Sequence, residues 1–170
     1  MRRTVLLFIV LLVCMTSGAQ VFIGCISYDG ALRSMPQYVD VEAQMDTLRQ
    51  AYEAELKRVE DDFNQKYEAF LEGRKDFPRT IMLKRQTELQ QLLEQNIAFK
   101  EQGRKELEKT RKEKLAPLQA QLSMAISAVA REHQLAVVVN TDSNACPYID
   151  PELAIDLNDE VKQQLSKVSK

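Results

Sequence analysis

Tryptophan is absent from this chain of 170 residues, histidine occurs once, cysteine three times, and glycine and proline five times each. These scarcities remove whole classes of function. A chain so poor in glycine and proline, with 28% charged residues, leans towards long helices and away from a compact α/β enzyme. The single histidine, His133, and cysteines without Cys-x-x-Cys spacing leave zinc and dithiol redox chemistry unsupported. His133 reads as a helix-terminal residue favoured by the helix dipole. The acidic pair Asp61-Asp62 lies among Lys and Arg and reads as solvated charge, so the chain is not expected to be an enzyme or to hold a cofactor or metal. A net charge of −2 lacks the basic surface that a general nucleic-acid binder needs to displace counterions.

What is present begins with "MRRTVLLFIVLLVCMTSGA", residues 1–19. Arg2 and Arg3, the apolar run Val5 to Met15 and the small residues Ser17-Gly18-Ala19 have the three parts of an export signal, with cleavage expected between Ala19 and Gln20. That run is too short to span a bilayer comfortably. A lipoprotein signal at Cys14 is the rival reading, but Val13 stands where such signals carry a small residue. Cleavage leaves Cys25 and Cys146. In an oxidising compartment the pair invites a disulfide; the alternative is two small buried hydrophobes, one in each terminal strand.

"VFIGCISY" at 21–28 reads as a short strand, followed by a turn at Asp29-Gly30 and by Pro36 in the first turn of a helix. From there Tyr38, Val41, Met45, Leu48, Tyr52, Leu56, Val59, Phe63, Tyr67 and Phe70 recur at steps of three and four, a single apolar seam. "EGRKDFPRT" breaks it, because Gly73 loosens the helix and Pro78 biases Phe77 out of the α region. The seam resumes at Ile81, Leu89, Leu92, Leu93 and Ile97, thins between Lys100 and Lys114, and recovers at Leu115, Leu118, Leu122, Ile126 and Val129. Pro117 predicts a kink or a break there. Two arms of similar length predict a helical hairpin on the order of 60 Å long.

"LAVVVNT" at 135–141 reads as a second strand, apolar enough to be buried on both faces, and "CPYID" at 146–150 as a third. Asn158 is expected to cap a last helix whose first turn carries Asp159 and Glu160. The expectation is therefore a mostly α fold with a small β head. A long antiparallel hairpin, 36–133 with its tip near 73–80, is inserted in a strand-and-helix body built from 20–35 and 134–170. So small a head is marginal alone and is expected to oligomerise. Ile23, Ile26, Val137 and Val139, with Val161 and Leu165 of the last helix, are the expected oligomer core.

The segment "IGCISYDGALRSMPQY" (23–38) resembles the opening of the Skp/OmpH family of periplasmic chaperones at Ile23, Gly24, Ile26, Ala31, Leu32 and Pro36. The ending is similar too, through Tyr148, Asp150-Pro151, Asp156-Leu157 and Asp159-Glu160-Val161. The resemblance implies a trimer in the periplasm, with three hairpins hanging as tentacles from a barrel-like body. It further implies that unfolded outer-membrane β-barrel proteins are held in the cavity without ATP, and no glycine-rich phosphate loop argues otherwise. Two departures stand out. Ser27 replaces the acidic or amide residue that often follows the first strand, and residues 36–133 carry 17 Lys/Arg against 18 Asp/Glu where relatives are basic.

Positive charge is concentrated at the expected tip, in Arg74, Lys75, Arg79, Lys84 and Arg85, beside the apolar Phe77, Ile81, Met82 and Leu83. Such a mixture suits weak contact with unfolded chains or anionic lipid; the plainer reading is a solvated tip with an apolar plug. The thinned seam, with Gly103 and Pro117 near it, suggests arms that splay around a client. A fixed spacer that binds one folded partner is the alternative, and would need a continuous, well-packed seam.

Overall fold

The computed structural model describes residues 22–142 and 146–168, so the expected signal segment and its cleavage site lie outside the described residues. Strand β1 (Ile23–Ile26) is followed by helix α1 (Tyr28–Arg33) and two long helices, α2 (Pro36–Gly73) and α3 (Arg79–Glu132). Strands β2 (Val137–Asn140) and β3 (Ala154–Asp156) and helix α4 (Asn158–Val168) complete the chain. Two compact units result, one of residues 36–119 and one that gathers both chain ends, up to 35 and from 120 onward.

In the end-built unit, β1 lies between β2 and β3 in an all-parallel sheet. Ile23 pairs with Val137 and Ala154, Gly24 with Val138 and Ile155, and Cys25 with Val139 and Asp156. Strand alternation then sorts the side chains. Gly24, Ile26, Val138 and Ile155 share one face. Ile23, Cys25, Val137, Val139 and Ala154 share the other. The first face is closed: a Cβ on Gly24 would lie 2.7 Å from Leu157 and 2.9 Å from Leu135, so the strand needs glycine there for close approach. Ile26, Leu157, Val161 and Leu165 are buried, as are Ala31 and Leu32 of α1, which packs on α4.

Several local expectations change. The turn at Asp29-Gly30 is a full helical segment, α1, because the Ser27 hydroxyl accepts the Gly30 N–H at 3.1 Å and caps it. The third strand sits at 154–156 and not at 146–150. Pro151 has no N–H to give a sheet, and a turn around Asp150 intervenes, with Glu152 N–H donating to the Asp150 carboxylate at 2.9 Å. Asn158 does not spend its side chain on its own helix; its Oδ1 accepts the Ser27 N–H at 3.0 Å and ties α4 to the end of β1. Instead, Asp156 accepts from the Asn158 N–H at 2.9 Å and closes the entry to α4.

The second strand is shorter than expected, since Leu135 belongs to the end of α3. Leu135 N–H donates to Ala130 O at 2.8 Å and Gln134 N–H to Arg131 O at 3.1 Å, with Gln134 at φ 55°. These are the paired bonds of a Schellman stop, with glutamine where glycine is usual.

In the hairpin unit, the arms run antiparallel and meet through Asn96, which donates to Val59 O at 3.1 Å, and through the rings of Tyr52 and Phe99, 6.0 Å apart. Pro117 neither breaks nor ends α3, which runs continuously to Glu132. Proline removes one bond to the carbonyl four residues back, at Glu113, and that residue is exposed and can be solvated. Leu115 and Leu118, on either side, remain buried and hold the helix.

Candidate functional site

The expected splay between Lys100 and Lys114 does not occur. Gly103 is buried, and a Cβ there would come within 2.9 Å of the Tyr52 ring. A missing side chain, not an apolar one, therefore lets the arms approach. Burial pushes the Tyr52 phenol up in pKa, and its hydrogen bond to Glu106 adds to that. Arg111 pairs with Glu42 at 2.8 Å and Lys114 donates to Gln44 at 2.7 Å, so polar contacts replace the thinned seam.

Towards the tip the packing is looser. A groove of about 550 Å³ runs between the arms, lined by Lys66, Phe70, Phe77, Arg85, Leu89 and Leu92 among others. Phe77 is half-buried: its ring sits 6.4 Å from that of Phe70 and directly over Gly73, where a Cβ would meet it at 2.4 Å. It plugs the turn. Met82 is half-buried, while Ile81 and Leu83 are exposed. Arg74, Lys75, Arg79, Lys84 and Arg85 all stand in solvent. Lys84 lies 3.6 Å from Glu88, whereas the other four make no ion pair among the described residues.

The sequence misassigned a set of residues on one flank of the hairpin. Phe63, Tyr67 and Leu71 follow at i, i+4 and i+8 and so share a face of α2. Phe63 and Tyr67 stack with centroids 6.0 Å apart. Opposite them, Leu93 and Ile97 border a shallower groove of about 260 Å³ with Phe63 and Asn64. The spacing places Phe63, Tyr67, Leu93 and Ile97 in the seam, yet Tyr67 is 45%, Leu93 46% and Ile97 57% exposed, and Leu71, outside the expected seam, joins them at 41%. A signal was available: adjacent residues on a helix lie about 100° apart, so Leu92 and Leu93 cannot both face the other arm. Leu92 points inward, and polar Asn96 takes the seam position beside Ile97.

The six residues nominated for the oligomer core divide between the two faces of the sheet and the last helix. Ile26, Val161 and Leu165 are 2%, 0% and 6% exposed within one chain. Ile23 and Val139 are half-buried and Val137 is 48% exposed, all on the face that the chain itself leaves incompletely covered. His133 follows the end of α3, and its Nε2 lies 2.5 Å from Glu160 of α4, linking the two elements. Among the described residues no helix is long and apolar enough to cross a membrane, and no cluster of His, Cys, Asp and Glu could hold a metal.

Comparison with known proteins bears on all of this. The profile of the family described as outer membrane protein (OmpH-like) matches residues 22–165. No curated protein sequence is matched. Among solved structures, a candidate outer membrane chaperone (OmpH-like) from Caulobacter crescentus is similar at a TM-score of 0.63 and 20% identity, over 88% of this chain and 85% of its own.

Proposed function

The chain belongs to the OmpH-like family of outer membrane proteins, and from that premise we propose that it is a periplasmic holding chaperone, working without ATP, for unfolded outer-membrane β-barrel proteins. One observation carries the reading. Between residues 67 and 97, Tyr67, Leu71, Ile81, Leu83, Leu93 and Ile97 are each 41–57% exposed on a hairpin whose surface is otherwise largely polar or charged. Apolar groups left in water on a charged scaffold offer many weak, sequence-tolerant contacts to an unfolded chain. The unpaired Arg74, Lys75, Arg79 and Arg85 would add attraction for acidic segments or anionic lipid.

In this reading three chains assemble through the incompletely covered sheet face that carries Ile23, Val137 and Val139. β2 and β3 are edge strands with unpaired backbone groups, which closure into a barrel would satisfy. Clients occupy the cavity among the hairpins. The part of the hairpin tied by Glu42–Arg111 and Tyr52–Gly103 favours a stiff stem over splaying arms, which supports client contact along the distal half. That stiffness is also what a spacer would show.

Light scattering separates the two readings. The purified protein should suppress aggregation of a urea-unfolded outer-membrane β-barrel protein on dilution without ATP. Replacing Leu71, Leu93 and Ile97 together by Ser should weaken suppression at least several-fold while leaving helix content intact. Full suppression by the triple variant would remove the distal face from the mechanism, and none by the parent protein would favour the spacer.

A further inference from the structure

Cys25 and Cys146, the cysteines among the described residues, lie outside the client surface proposed above, and the sheet topology bears on where they sit. β2 and β3 flank β1 and run parallel to it. The chain leaving β2 must therefore travel back along the length of β1 before it can enter β3. Its start and finish are fixed: Thr141 N–H donates to Ile26 O at 2.9 Å, at the end of β1, and Ile23 N–H donates to Leu153 O at 2.9 Å, at its beginning. Leu157 and Leu135 occupy the Gly24 face of the sheet. With that face taken, the described part of the return, from Cys146 to Leu153, has the other face open to it, where Cys25 points.

We propose that Cys25 and Cys146 form an intramolecular disulfide in the exported protein, clamping the β2–β3 return across β1. Both are thiols in the structure; Cys25 is half-buried and Cys146 exposed. Burial pushes the Cys25 thiol up in pKa, and the nearby Asp156 and Cys146 add to this. Exposed Cys146 is the group that meets the oxidant first. Its thiolate attacks the disulfide of oxidised glutathione, or of a protein dithiol oxidant, forming a mixed disulfide and releasing one thiolate. The Cys25 thiolate then attacks the Cys146 sulfur and expels the second. The two protein thiols lose two protons and two electrons, and the oxidant is reduced to two thiols. The product joins the two chain ends that build the head.

The proposal rests on the export reading only for where the oxidant is met, so the bond and the compartment are tested apart. The purified protein is equilibrated in buffers of reduced and oxidised glutathione, quenched, and weighed before and after alkylation. The expected result is a species lighter by two hydrogens that yields one Cys25–Cys146 cross-linked peptide. It should persist at a ratio of reduced to oxidised glutathione about tenfold higher than the mixed disulfides of Cys25→Ser and Cys146→Ser. Thiols that stay alkylatable, mixed disulfides alone, or a bond between two chains would each overturn the proposal. A protein that bridges in the buffer but is recovered reduced from the cytosolic fraction would instead overturn the export reading and leave the geometry standing.

Discussion

Replacing Gly24 by Ala tests the head at its tightest point. The new methyl would lie 2.7 Å from Leu157 Cδ1, 2.9 Å from Leu135 Cδ1 and 3.1 Å from Val138 Cγ2. The two leucine methyls are flexible ends, but Leu157 is fully buried and has little room to retreat, and Val138 is stiff at χ1. Overpacking of this kind costs about 1–3 kcal/mol. Helix signal is a poor readout, because the two long helices dominate it and the chain has no Trp. The adjacent thiol is better. With the protein kept reduced, the alkylation rate of half-buried Cys25 follows opening of β1, and the expected cost raises that rate about 5- to 150-fold if opening is in rapid equilibrium. A change below about twofold would show that Leu157 and Leu135 relax freely, and would refute the claim that glycine is needed for close approach.

Three further outcomes are expected. The Asp142 carboxylate is held below its usual range by hydrogen bonds from the Ser27 hydroxyl and from the Asp29 N–H, the latter at 2.6 Å. A folded pKa below the unfolded one means stabilisation that is present above the unfolded carboxylate pKa and lost as pH falls through the folded value. Urea midpoints followed from neutral pH down through the carboxylate range should therefore fall less steeply in Asp142→Asn than in the parent; equal slopes would exclude this carboxylate as a contributor. Gln134→Gly should stabilise the end of α3 by up to about 1 kcal/mol, read as a higher thermal midpoint, because glycine carries no Cβ penalty at positive φ; a lower midpoint would mean that the glutamine side chain contributes more than its strain costs. Val139→Asp should give a monomeric mass by light scattering, since the residue lies on the incompletely covered face; an unchanged oligomeric mass would exclude that face from the interface.

The long helices were legible because each arm carries dozens of residues of repeating pattern, and "EGRKDFPRT" marked the turn within a few positions of where α2 ends at Gly73 and α3 begins at Arg79. The short elements were not, and each failure has a local cause. Helix α1 is six residues long, too short for periodicity to register, and its one clear sign is the Ser27 cap. Strand β3 is three residues, Ala154–Asp156, and was outweighed by the more aromatic "CPYID" ahead of it. The sheet's parallel sense is fixed by partners more than a hundred residues apart and has no local signature.

The misassigned flank shows why the candidate site was harder to see than the fold. A seam is defined by one facing row, so any apolar residue at a spacing of three or four tends to be credited to it. Between Lys100 and Lys114 that habit failed in one direction: the arms meet through Gly103, Glu42 and Gln44, which no count of apolar residues would select. At Leu93 and Ile97 it failed in the other, since Asn96 had taken the inward place and hydrogen-bonds the facing arm. The stem buries Val41, Met45, Leu115 and Leu118 and adds polar contacts between the arms, whereas the distal half leaves apolar surface in water. Stem and contact surface both depend on where polar atoms, as well as methyl groups, make the contact between helices.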